Sequence, residues 1–97
     1  MKSTIPSHLS STYELVEQAF PDGVEPENYF PLLAILSKEM SDRNLAETLA
    51  ILTERDYSLI LNDIYAVQST AIPSAQAIEQ VEKHLQKFGY QQWLESE

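Results

Sequence analysis

The sequence predicts an all-α fold, a compact single-domain bundle or array of about five helices. Three observations carry this. Apolar residues recur at steps of three and four along most of the chain, and no stretch reads convincingly as a strand. Proline, glycine and serine fall between the periodic segments, where helices stop and start. With 97 residues, 43% of them hydrophobic, the chain can fill one modest core and not two. The expected organisation is a flexible leader over residues 1–10, a helical domain over 11–90 and a tail over 91–97.

The first helix is expected to follow Ser11-Thr12-Tyr13-Glu14, a capping box in which the serine hydroxyl and the Glu14 carboxylate each satisfy an orphan N–H. Tyr13, Val16, Ala19 and Phe20 then share one face, and Pro21 with the turn signal Asp22-Gly23 ends the segment. Pro26 suits a first helical turn. Pro31 disfavours helical geometry at Phe30, which places the start of the main second helix at about Pro31. Leu32 to Leu36 are apolar on every side, the pattern of a helix buried in the middle of a bundle.

Ser41 is expected to cap the third helix, whose stripe is Leu45, Leu49 and Leu52, with Ile51 suggesting a second contact face. The fourth is expected after Ser58, with Leu59, Ile60, Leu61, Ile64, Tyr65 and Val67 forming a wide apolar face. The polar pair Asn62-Asp63 interrupts that face, either as an exposed edge or by bonding to a neighbouring loop. Pro73-Ser74 stops one helix and caps the next, which carries Ile78, Val81, Leu85 and Phe88. Gly89 is placed as its C′ residue, with Tyr90 touching Leu85. In the tail Trp93 has two readings: it folds back to cap the bundle, or it stays exposed as a partner anchor. The cap is favoured, because a lone aromatic finds apolar cover.

The run Phe20-Pro21-x-Gly23-x-x-Pro26-x-x-Tyr29-x-Pro31-Leu32-Leu33-x-x-Leu36 resembles a small bacterial all-helical family catalogued as domain of unknown function 3349. The likeness extends to Asn62-Asp63-Ile64, Pro73-Ser74 and Phe88-Gly89-Tyr90, and so covers most of the domain. It implies a five-helix fold. No activity, substrate or catalytic residue comes with it.

Composition narrows the chemistry. There is no cysteine, so disulfides and thiolate chemistry are excluded. The two glycines cannot form a phosphate cradle, and no serine-nucleophile motif is present. His84 has no second ligand at helical spacing and reads as a surface residue, so no metal, no cofactor and no catalytic residue is expected. The longest apolar run is far short of the ~20 residues of a spanning helix, and a soluble, cytoplasmic protein is expected.

Net charge is −9, and between Lys2 and Lys38 stand five carboxylates, Glu14, Glu17, Asp22, Glu25 and Glu27, with no lysine or arginine. Such a surface repels phosphate backbones and anionic lipid and favours solubility or a basic partner. The third and fourth helices can be drawn as a helix-turn-helix, but Ser58 to Gln68 offers no cation for phosphate contacts. The expected function is a non-catalytic, protein-binding or regulatory helical module, a monomer or weak homodimer that contacts a basic protein through Glu25, Glu27, Tyr90 and Trp93. Nucleic-acid binding is the alternative, and a carboxylate-lined small-molecule cleft or enzymatic site the third.

Overall fold

A computed structural model of the chain describes residues 6–95. Residues 1–5 of the expected leader and 96–97 of the tail lie outside the described residues. Six α-helices make up the described fold: α1 Ser10–Ala19, α2 Pro26–Leu36, α3 Asp42–Thr53, α4 Tyr57–Ser69, α5 Ala75–Gln86 and α6 Tyr90–Glu95. A 3-10 turn, Ser7–Leu9, precedes α1. The described residues contain no strand, and no helix among them is long and apolar enough to cross a membrane. The all-α single-domain class stands.

α2 is the central element. It packs against both α4 and α5, α3 lies along α4, and α1 bridges α3, α5 and α6. Its all-round apolar sequence follows from that position: residues 31–36 are all buried, and Leu32, Leu33 and Leu36 have no exposed surface. Leu45, Leu49, Ile60, Ile64 and Leu85 complete the same core from the surrounding helices.

Helix starts differ from the sequence reading at α1, α2 and α4, and a sixth helix, α6, forms in residues expected as tail. α2 begins at Pro26 and runs through Pro31. Pro31 has no N–H to give the Glu27 carbonyl, but Glu27 is an exposed residue, where water can take that place. Burying the apolar run as one rigid helix outweighs the local bias against helix at Phe30. α1 begins at Ser10 with no side-chain cap, so the Ser11 capping box does not form. Leu9 is fully buried, and the turn that carries it inward continues into the helix, leaving Ser11 already inside.

Two of the expected caps form. The Ser41 hydroxyl accepts from Asn44 N at 3.1 Å, and the Ser74 hydroxyl from Ala77 N at 3.1 Å. α4 starts at Tyr57, earlier than expected, because Asp56 caps it by accepting from Ser58 N at 2.9 Å. Gly89 has φ +93 and turns the chain from α5 into α6. In that last helix the Trp93 indole N–H donates to Thr12 Oγ1 at 3.0 Å, and the ring stacks on Tyr90 at 5.8 Å. Both aromatics are buried, so Trp93 caps the bundle.

Candidate functional site

Two loops converge beside the start of α2. The first, between α1 and α2, turns at Gly23 (φ +100), whose N–H bonds to Phe20 O at 3.0 Å. Pro26 then opens α2, and Tyr29 follows one turn in. The second loop leaves α3 through Glu54, which adopts the left-handed conformation at φ +59 while its N–H bonds to Ala50 O at 2.9 Å. That residue reverses the chain, presents Arg55 and lets Asp56 start α4, which in turn carries Asp63.

The elements meet in a cleft of about 690 Å³ lined by Val24, Pro26, Tyr29, Phe30, Leu52 and Asp63, with Gly23 and residues 53–55 at its edge. Within this lining the Tyr29 hydroxyl donates to Asp63 Oδ2 at 2.8 Å. Arg55 reaches the same carboxylate oxygen at 3.9 Å and lies over the Tyr29 ring, 5.2 Å from its centroid. Desolvation, then the bond to Asp63 and its negative charge, pushes the Tyr29 phenol above the ordinary tyrosine value. The phenol therefore stays a donor at every physiological pH. The network can bind and orient a group but pairs no nucleophile with a base. Among the described residues no group of three His, Asp or Glu could hold a metal ion.

A smaller cleft of about 380 Å³ lies on the other side of the Gly23 loop, lined among others by Phe20, Asp22, Glu25, Asn28 and His84. His84, read from sequence as a surface residue, is half-buried instead. Its Nε2 lies 2.6 Å from Ala19 O, and since a carbonyl only accepts, the ring donates there. Phe20 and Phe88 flank the imidazole at 5.1 and 5.2 Å. The carbonyl is one of the orphans at the end of α1, a partner invisible in a sequence that separates the two residues by 65 positions.

The four residues singled out from sequence divide into two places. Glu25 and Glu27 are exposed at the start of α2, and Glu25 lines the smaller cleft. Tyr90 and Trp93 are buried at the α1–α6 corner. Sequence reasoning missed Arg55 and Tyr29 as partners of Asp63, although the polar Asn62-Asp63 pair within an apolar helix was a signal. Asn62 is the exposed edge, and Asp63 bonds to a neighbouring helix. Arg55 faces Asp63, and Lys83 faces Glu79 at 3.8 Å.

Gly23, Pro26, Tyr29 and Asp63, four residues that carry the family likeness, line the larger cleft. A family model described as "Protein of unknown function (DUF3349)" matches residues 7–93. The chain belongs to that family. The matched span runs from the 3-10 turn to Trp93 and so takes in the whole helical core. No match was found among curated proteins or among solved structures.

Proposed function

We propose that this DUF3349 chain is a non-catalytic helical module that binds a basic protein partner. The observation that supports it is the pair Glu25 and Glu27, exposed side by side at the start of α2. Hydrogen bonding to Glu27, and then its like charge, raise the Glu25 carboxyl above the ordinary carboxylate value. The positive end of the α2 dipole tolerates this crowding in the free protein. A lysine or arginine brought between the two carboxylates would relieve it further. Asp22 and Glu54, exposed on the flanking loops, extend the same sign of charge, and the net charge of −9 favours encounter with a basic surface. On this reading Tyr90 and Trp93 belong to stability, and contact centres on the carboxylates.

The test is affinity capture from the native cell, followed by binding kinetics with the purified retained protein. Replacing Glu25 and Glu27 together by glutamine should slow association and flatten its salt dependence, while dissociation changes little. A partner that associates with wild type and double variant at equal, salt-independent rates would overturn the reading. Retention of nucleic acid alone would transfer support to the alternative.

A further inference from the structure

The geometry points to the cleft between α2 and the α3–α4 loop as the place where an apolar side chain of that partner docks, flanked in the partner's own sequence by lysine or arginine. This rests on the protein-binding reading and adds where and by what chemistry the contact is made. The lining is mixed, and its apolar part is only partly covered by the fold: Val24, Phe30 and Leu52 are half-buried, and Pro26 is exposed. At about 690 Å³ the space falls in the range of ordinary binding clefts and exceeds what one aliphatic side chain needs.

The charges around it select the neighbours of that side chain. Glu54 is exposed and lines the cleft, and the exposed Glu25 and Glu27 are the chain neighbours of Pro26, which also lines it. Arg55 is the single cation among the lining residues, and it already faces Asp63 and the Tyr29 ring. An acidic segment would meet the carboxylates without a free cation to compensate. A basic one would place its apolar residue in the cleft and its charges on the rim. Glu54 holds its carboxylate there from a left-handed backbone conformation that side chains other than glycine seldom adopt.

The test uses the full chain, isotope-labelled, with three synthetic heptapeptides: lysine alternating with leucine, lysine alternating with serine, and glutamate alternating with leucine. The lysine–leucine peptide should shift the amide resonances of Val24, Phe30, Leu52 and Glu54. It should also bind about tenfold more tightly than the lysine–serine peptide, a difference of about 1.4 kcal/mol. Val24→Ser, in the loop, should weaken lysine–leucine binding several-fold, and Glu54→Gln should reduce its salt dependence.

Equal affinities for the two lysine peptides would overturn the proposal, since the contact would then be charge alone. So would shifts centred on Tyr57, Leu59 and Tyr65, the exposed large hydrophobic residues of α4, or equal binding of the glutamate–leucine peptide. Shifts of the cleft amides on simple concentration, without peptide, would assign the cleft to a second copy of the chain instead. These outcomes leave the protein-binding reading intact, because that reading fails only on the capture and association experiment.

Discussion

Two of the side-chain hydrogen bonds that join distant parts of this molecule differ chiefly in how much water reaches them. Trp93 Nε1 meets Thr12 Oγ1 across 81 residues of sequence, and Tyr29 Oη meets Asp63 Oδ2 across 34. At the first corner both residues are buried, and the tryptophan also stacks on Tyr90, while Thr12 turns its own hydroxyl hydrogen toward Met40 Sδ at 3.9 Å. At the second, the tyrosine is buried but Asp63 keeps 27% of its side-chain surface, and Arg55 keeps 47%. A sealed polar contact holds a fold together, because breaking it strands a donor away from water. An open one contributes less to stability and leaves groups in reach of a ligand.

Substitution should separate the two corners, and the largest effect is expected at the sealed one. Trp93→Ala should destabilise the domain by ~3–5 kcal/mol, as deletion of a buried aromatic does. Binding by the fraction that remains folded should be unchanged. Denaturant melts and partner titration on the same variant measure both, and a loss of affinity at constant stability would make Trp93 a contact residue.

Next comes Thr12→Val, which keeps the shape but removes the acceptor. It should cost ~1–3 kcal/mol through loss of the buried bond from the indole N–H. A neutral result would mean that the corner opens to water and the contrast between the two sites is smaller than drawn.

At the open corner Tyr29→Phe should cost only ~1 kcal/mol, since solvent can take over part of the bond to Asp63. Its clearer signature is pH. The folded phenol is raised above its unfolded value, so its contribution is complete below the ordinary tyrosine pKa and is lost as pH climbs through the raised one. Tyr90 is raised in the same direction, by burial first and then by the charges of Glu39 and Glu82. Stability of the wild type should therefore fall above about pH 10, and the fall should be shallower in Tyr29→Phe. Identical alkaline profiles would show that the phenol is solvated in the folded state.

The smallest effect belongs to Glu54→Gly. Releasing the left-handed strain should stabilise by up to ~1 kcal/mol, offset in part by the greater freedom of glycine in the unfolded chain. Together with weakened binding of the lysine–leucine peptide, a gain in stability would mark Glu54 as a residue held for contact rather than for the fold.

Much of the architecture is legible because it is local. Ser41 and Ser74 cap helices as their sequence neighbours require, since a cap needs only the backbone three residues on. The apolar run of α2 sits at the centre because nothing on it can face water. Ser11 and Pro31 were misread for one shared reason. Burying Leu9, and burying residues 31–36, each involves a core contact larger than the local preference it overrides. The candidate cleft was barely legible: Asp63 stood out as polar within an apolar helix, but nothing adjacent named Tyr29 or Arg55.

By itself the sequence determined the helical class, the caps of α3 and α5, the central place of Leu32 to Leu36 and the acidic character of the chain. Each of these depends on interactions within a turn or two of chain, or on composition alone. Tertiary structure alone decided that Trp93 seals a corner with Thr12, that His84 serves the end of α1, and that Tyr29, Arg55 and Asp63 share one cleft. Those pairings depend on how helices cross, and the crossing is set by the packing of the whole core rather than by any segment of it.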